Sequence, residues 1–223
     1  MRHLYWQALF IATILTLIVA PAVADESEEL AKKLANPVAS LISVPFEYDY
    51  DSDIGPTESG SRWTVTTKPV VPFSLNESWN LITRTIVAYV NQEDLAPGLG
   101  KQDGLSDLQT SLFFSPKVPV NGFILGAGPV FVFPTASDDL LGTEKWSAGP
   151  TGVVLKQQGP WTYGMLSQHT WSFAGDDDRD YVSSTFLQPF LTFTTKTATS
   201  FTVQTESTYN WNNEEWTSPS TRF

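Results

Sequence analysis

Six polar side chains occupy strand positions from which they would point away from the apolar face of a sheet. In each predicted strand they have the parity opposite to the large apolar residues, because successive side chains of a strand alternate between two faces. They are Glu47, Lys68, Arg84, Asp107, Gln204 and Glu206. Opposed acids and bases around a lumen create a transverse field that selects among solutes. We therefore take these six residues as the candidate lining of a solute path.

The same charges also have a structural interpretation. A small barrel fills its interior with side chains, and charges that are buried there pair with one another. The six residues form no cluster of one sign, which favours this structural interpretation over a charged constriction. At the level of the sequence both interpretations stay open.

A short acidic segment between two predicted strands could hold a cation. It spans Ala174 to Asp180 and carries four carboxylates: Asp176, Asp177, Asp178 and Asp180. A calcium loop needs alternating Asp or Asn positions and a distal Glu, and this segment lacks that spacing. A solvated acidic loop is expected, with divalent bridging to surface lipopolysaccharide as the sharper alternative.

One pair of residues could belong to a hydrolase. Ser167 and His169 share a strand face two residues apart, but no carboxylate is placed on that face to orient the imidazole. No metal-ligand spacing occurs in the chain. Gly126-x-Gly128 lies within a strand and no Lys-Ser/Thr follows it, which argues against a phosphate loop. The sequence predicts neither an enzyme nor a cofactor.

The elements that position these residues are strands. From about Ser40 onward the chain alternates between apolar and polar residues, which is the period of a strand with two different faces. The alternation predicts nine strands: Leu41–Tyr50, Arg62–Phe73, Trp79–Val90, Leu105–Ser115, Phe123–Phe133, Trp146–Gln157, Trp161–Phe173, Tyr181–Thr195 and Ser200–Asn212.

The connections between these strands are alternately long and short, four times in succession. The long ones are Asp51–Ser61, Asn91–Gly104, Pro134–Lys145 and Ala174–Asp180. Outer-membrane barrels have long extracellular loops and short periplasmic turns, whereas a soluble sandwich has no reason to alternate loop lengths so regularly. The rhythm predicts an all-β fold, namely an antiparallel transmembrane β-barrel.

Tryptophan supports the same interpretation. Trp and Tyr anchor at the headgroup level, so a barrel carries two aromatic girdles at its strand ends. Six tryptophans open or close predicted strands: Trp63, Trp79, Trp146, Trp161, Trp171 and Trp211. The alternative is a β-sandwich core, in which Trp would lie mid-strand more often.

The N-terminus predicts export. Residues 1–24 combine a basic start, an apolar core and a small-x-small cleavage site, Ala22-Val23-Ala24, as in a Sec signal peptide. Residues 25–39 predict a short periplasmic helix and linker, with the helix over Asp25–Asn36, and residues 40–223 the barrel. The helix is interpreted as an exposed tether, with a plug or periplasmic contact as the alternative. A net charge of −11 argues against nucleic-acid partners, and the absence of Cys excludes a disulfide framework.

Several separated blocks resemble a bacterial family of outer-membrane barrels that is catalogued with the meta-pathway phenol-degradation proteins. The matching blocks are residues 29–33, 36–46, 72–76, 79–82, 109–117, 128–131, 134–136, 146–149, 159–161, 174–178, 186–190 and 205–209. They are distributed along nearly all of the chain that follows the predicted signal. The resemblance implies an outer-membrane transporter, with small aromatic or hydrophobic molecules as candidate solutes.

The C-terminus departs from that family, whose members continue with closing strands. We expect nine complete strands plus a stub, Trp216 to Phe223, in which Pro219 would break a ladder. Bacterial single-chain barrels use an even number of strands, and an unclosed barrel in lipid costs several kcal/mol for each exposed backbone group. The sequence therefore predicts a truncated product of a gene for a closed barrel.

These observations lead to three functional hypotheses. The first is an outer-membrane channel or transporter that passes small solutes by passive diffusion. The second is a structural or surface-interaction barrel with a plugged lumen, which acts through its acidic loops, and the third is a soluble exported β-sandwich that binds a ligand. The expected partners are outer-membrane lipid and lipopolysaccharide, a small-molecule solute, and the export and barrel-assembly machinery.

Overall fold

A computed structural model describes the backbone of residues 21–222 and the side chains of residues 26–216. Most of the predicted signal peptide lies outside the described residues. The first element is helix α1 (Pro21–Leu34), which starts and ends earlier than predicted. Ion pairs Lys32–Glu28 and Lys33–Glu29, at the i, i+4 spacing, stabilise it. No helix among the described residues is long and apolar enough to cross a membrane.

All other elements are antiparallel strands of one sheet. The strands are β1 (Phe46–Ile54), β2 (Gly60–Thr67), β3 (Val70–Ser74), β4 (Trp79–Glu93), β5 (Lys101–Leu105), β6 (Leu108–Pro116), β7 (Ile124–Phe133), β8 (Lys145–Gln158), β9 (Trp161–Gly175), β10 (Ser183–Thr194), β11 (Ser200–Asn210) and β12 (Glu215–Arg222). Their order is β1-β2-β4-β6-β7-β8-β9-β10-β11-β12, with β3 and β5 also paired to β4. The predicted all-β antiparallel fold with a short N-terminal helix is confirmed.

Twelve strands replace the predicted nine plus a stub because one predicted strand is divided and one predicted connection contains a strand. Arg62–Phe73 is divided at Lys68 and Pro69, and a proline cannot donate to the ladder. The part of the Asn91–Gly104 connection from Lys101 onward forms β5, which pairs with the end of β4. Both β2 and β3 pair with one edge of β4, and both β5 and β6 pair with its other edge. The twelve strands therefore occupy ten positions across the sheet. The predicted stub is a true strand, β12.

The first predicted strand is also corrected. Leu41–Pro45 is not part of β1, and only Ser43 makes an isolated bridge, to Val70 of β3. Backbone hydrogen bonds in both directions between Ser43 and Val70 hold this part of the chain to the sheet. Val38 and Ala39 just before it are buried at 3% and 6% exposure, so the segment before the bridge packs against the core.

The sheet is curved but not closed. β1 and β12 end the strand order, and no pairing joins them among the described residues. The ladder between β11 and β12 shifts register between Glu206 and Thr208, which face the part of β12 that contains Pro219. Pro219 therefore interrupts the ladder locally, as expected of a residue without an N–H, but pairing resumes on both sides.

The two faces of the sheet differ in the way that a barrel in lipid requires. Large apolar side chains on the outward face are exposed, among them Phe114, Met165, Leu191 and Phe201 at 43% to 63%. Continuous exposed apolar surface of this kind is normally covered by a partner or by lipid. Because all strands belong to one sheet, a sandwich of two packed sheets does not describe this architecture.

Aromatic side chains cluster on the outward face. Trp63 stacks between Tyr48 and Tyr89, with ring centroids 6.5 and 5.7 Å away, and so links β1, β2 and β4. Farther along the strand order, Trp211 lies near His169 of β9 and Tyr209 of β11. Such amphipathic rings near strand ends are what the aromatic girdles of a barrel need.

Candidate functional site: the inner face of the sheet

Five of the six predicted lining residues lie together on the inner face. Lys68 is central, since its Nζ donates to Glu47 Oε2 at 2.6 Å and lies 3.6 Å from Glu206 Oε1. Gln204 Nε2 donates to the same Glu206 oxygen at 3.4 Å, and buried Arg84 is acted on electrostatically by Glu206 and Glu47. These residues come from β1, the β2–β3 break, β4 and β11, and we call them the interior charge cluster.

The break between β2 and β3 positions Lys68. Thr67 ends β2 and Val70 begins β3, while Lys68 N donates to Pro45 O at 3.2 Å and Thr85 N donates to Pro69 O at 3.0 Å. These backbone bonds hold the irregular dipeptide between its two neighbours. The Lys68 side chain is 10% exposed, so its ammonium charge is compensated mainly by the carboxylates that it meets.

Arg84 differs from the other cations of the interior. It is 8% exposed and lies on β4 in register with Val70 of β3 and Ser111 of β6. No hydrogen bond or ion pair joins its side chain to another residue that the structure describes, and Glu206 and Glu47 act on it through their charge. Lys68 by contrast is paired, and Arg62 Nε donates to Gln92 Oε1 at 3.1 Å.

Asp107, the sixth predicted residue, lies apart from the cluster. It follows β5 and accepts hydrogen bonds from Ala136 N at 3.2 Å, Thr143 N at 2.7 Å and Thr143 Oγ1 at 2.8 Å. Both partners belong to the connection between β7 and β8. The carboxylate therefore holds that long connection to the sheet, and it does not contact the interior charge cluster.

Sequence reasoning missed several inner amides. Gln188 Nε2 donates to Glu206 Oε1 at 3.0 Å and to Gln204 Oε1 at 3.2 Å. Gln188 shares its parity with Phe186 and Phe190, so alternation alone would place it on an apolar face. The sequence feature that could have identified Gln188 is a single amide between two aromatic residues of the same parity.

A second amide pair bridges two strands that are not neighbours in the sheet. Gln109 of β6 and Gln168 of β9 donate to each other at 3.2 and 2.9 Å, although β7 and β8 lie between them. The pair can form because the sheet curves enough to bring β6 and β9 together over the two strands between them. Alternation along a strand cannot predict a contact between two strands that are not neighbours in the sheet.

One end of the interior is apolar rather than charged. Its core combines buried residues of β3, β4, β6, β8 and β9 with Val38 of the N-terminal segment: Val70, Ile82, Phe113, Val153, Leu155 and Leu166. Polar contacts fix the N-terminal segment beside this core, since Asn80 Nδ2 donates to Ser40 Oγ at 2.7 Å and Gln157 Nε2 donates to Lys32 O at 2.8 Å. The N-terminal segment thus fills inner space at this end.

The acidic residues of the long connections are tied to one another by Arg179. Its Nη2 donates to Asp139 O at 2.9 Å and to Gly142 O at 2.7 Å, and its Nε lies 3.3 Å from Glu144 Oε2. Partial desolvation and the nearby Asp139 carboxyl raise the pKa of Glu144 above its ordinary value, despite Arg179.

The predicted acidic loop presents its carboxylates to solvent. Asp176 Oδ1 accepts a hydrogen bond from Asp178 N at 2.8 Å, and Asp177 and Asp180 are exposed. Among the described residues no group of three acidic, His or Cys side chains could hold a metal ion.

The predicted Ser–His pair lies on the outward face of β9. His169 Nδ1 is 2.6 Å from Thr185 Oγ1, and its ring contacts Trp171 with centroids 4.1 Å apart. Thr185 also accepts a hydrogen bond from Trp211 Nε1 at 2.8 Å. The imidazole is thus part of an aromatic cluster, with a hydroxyl rather than a carboxylate as its partner.

A curved antiparallel sheet with an apolar exterior and charges on its inner face defines a protein of the β-barrel class. Among solved structures, the chain is similar to an outer membrane channel from Pseudomonas putida F1, with a TM-score of 0.60 and 15% identity over 75% of this chain and 70% of that chain. At this identity the similarity shows the fold. No family model matches the sequence, and no curated protein matches it.

Proposed function

We propose that this protein is an outer-membrane channel through which small solutes diffuse passively. The observation that carries the proposal is the interior charge cluster, in which residues of β1, β4 and β11 bring both signs of charge together on the inner face of the curved sheet. Charged side chains on the inner face of a barrel are the usual determinants of what passes. The fold shared with an outer membrane channel supports this proposal.

The solutes that we propose are small aromatic or hydrophobic molecules. The resemblance to the phenol-degradation barrels suggests them, and the composition of the interior supports them. Phe113 is fully buried in the inner core, and Phe186 and Phe190 pack against that core. An apolar solute that entered this space would exchange water for aromatic surface, which is favourable.

The proposed location is the outer membrane, reached after removal of residues 1–24. Export and barrel-assembly machinery would be needed on the way, and lipid and lipopolysaccharide would surround the folded chain. The exposed apolar residues of the outward face support a lipid environment.

The test is single-channel recording in planar bilayers with the full chain. We expect discrete current steps, and Arg84→Ala should change conductance or ion preference because it removes a buried charge from the path. Lys196→Ala is the matched control, since Lys196 is an exposed cation in the turn between β10 and β11. Absence of current steps from correctly folded protein would contradict the proposal, and identical currents in Arg84→Ala would remove this residue from the path.

A second candidate function is a surface-interaction barrel with a plugged lumen. The N-terminal segment favours it, because Val38 and Ala39 are buried and Ser40 is hydrogen-bonded to Asn80 on the inner side. This candidate predicts that deletion of residues 175–180 abolishes binding to a lipopolysaccharide surface and leaves permeability unchanged. A deletion variant that binds the surface as well as the intact chain would contradict it.

A further inference from the structure

Arg84 carries hydrogen-bond donors that no described residue uses. A guanidinium presents five N–H donors in a planar fork and keeps its charge at any ordinary pH. Arg84 is 8% exposed, and the charges of Glu206 and Glu47 act on it. No hydrogen bond joins its guanidinium to another described residue, so its N–H donors are open to water or to a ligand.

The two nearest carboxylates are bound by other donors. Glu47 accepts from Lys68 at 2.6 Å. Glu206 Oε1 accepts from Gln188 at 3.0 Å and from Gln204 at 3.4 Å, with Lys68 at 3.6 Å. Both carboxylates thus accept hydrogen bonds from donors other than Arg84, whose guanidinium interacts with them through charge.

Apolar residues neighbour Arg84 in the register of the inner face, although its partner on β6 is Ser111. Val70 lies directly across from Arg84 on β3, and Ile82 and Phe113 form the next inner pair along β4 and β6. All three belong to the apolar core. A cation beside apolar surface matches a ligand with one negative group and an apolar body.

We infer that Arg84 is the recognition site for the carboxylate of a small organic acid with an apolar body. The planar fork suits a carboxylate, which it can bind through two parallel hydrogen bonds. A phosphate with two charges fits less well, because Lys68 is already occupied by two carboxylates. The inference rests on the proposed function, since solutes must reach the interior, and it names their chemical class.

The experiment compares benzoate with benzyl alcohol, which has a similar ring but no charge. Binding to the full chain, folded in detergent micelles, is measured by calorimetry. We expect benzoate to bind, and Arg84→Gln to weaken it about tenfold or more, with Arg84→Lys in between. Glu206→Gln should strengthen benzoate binding, because it removes a competing carboxylate, and Lys196→Gln should leave it unchanged.

Each result decides between the possibilities. Equal benzoate affinity in the intact chain and Arg84→Gln, or benzyl alcohol binding as tightly as benzoate, would overturn the inference and leave water as the partner of Arg84. If Arg84→Gln does not fold, the opposite shifts expected for Arg84→Lys and Glu206→Gln test it instead. Current steps in bilayers without Arg84-dependent benzoate binding would refute the site but keep the channel. Arg84-dependent binding without current steps would refute the channel but keep the site.

Discussion

Replacement of Lys68 by methionine tests the interior charge cluster as a source of stability. Methionine keeps much of the volume and removes the charge, so Glu47 and Glu206 lose the cation that lies 2.6 and 3.6 Å from them. The removal of one partner of a buried ion pair costs about 3–5 kcal/mol. The Glu47 side chain is 31% exposed and Arg84 remains nearby, so water and a second cation compensate part of the loss. We expect a loss of about 2–3 kcal/mol in the free energy of unfolding.

The assay is urea unfolding of the protein in lipid vesicles, followed by tryptophan fluorescence. For a slope of about 2 kcal/mol per molar urea, the midpoint should fall by about 1 M. Glu206→Gln combined with Lys68→Met should be less destabilising than the sum of the two single changes, with a coupling of about 1 kcal/mol. Lys196→Met, in an exposed turn, should change stability by less than about 0.5 kcal/mol. A loss below about 0.5 kcal/mol for Lys68→Met, or additive single changes, would show that the cluster does not stabilise the fold.

Three further predictions follow from the two faces of the sheet and from its long connections. Phe113→Ala should cost about 3–5 kcal/mol in urea unfolding because its fully buried ring leaves a cavity, whereas Phe114→Ala on the outward face should cost clearly less. Asp107→Ala removes three hydrogen bonds and should speed proteolysis within the connection between β7 and β8, while Asp177→Ala should not. The raised pKa of Glu144 means that its protonated form favours the folded state. Its stabilising contribution should therefore be present at acid pH and be lost as pH rises through the folded pKa, and the stability difference from Glu144→Gln should vary with pH in that sense.

Period-two alternation predicted the face of four residues of the interior charge cluster. Glu47, Arg84, Gln204 and Glu206 come from distant strands, and their parity places them on one face, whereas Lys68 reaches that face from the break between β2 and β3. Strand parity is a strong constraint, because a slip of one residue would move every apolar side chain of the strand to the other face. The alternating loop lengths in turn fix which strands run in the same direction.

Alternation could not show that the inner face is itself partly apolar. Phe113, Val153 and Leu166 point inward, and their residue types are the same as those that cover the outward face. Gln188 was missed for this reason, since its apolar neighbours of the same parity are also inner residues. Asp107 was assigned to the interior by parity, but it lies between β5 and β6, where the pairing is interrupted and strict alternation no longer applies.

The two ion pairs of Lys68 are expected to form at different stages of folding. Glu47 lies on β1, which pairs with β2 as a neighbouring hairpin, so its bond to Lys68 needs only local structure. Glu206 lies on β11, near the other end of the strand order, so its approach to Lys68 requires nearly the whole sheet to have curved into place. Contacts that join distant parts of a chain form late. The Lys68–Glu206 contact should therefore be absent from the folding transition state, and its main kinetic effect should be to slow unfolding of the finished barrel.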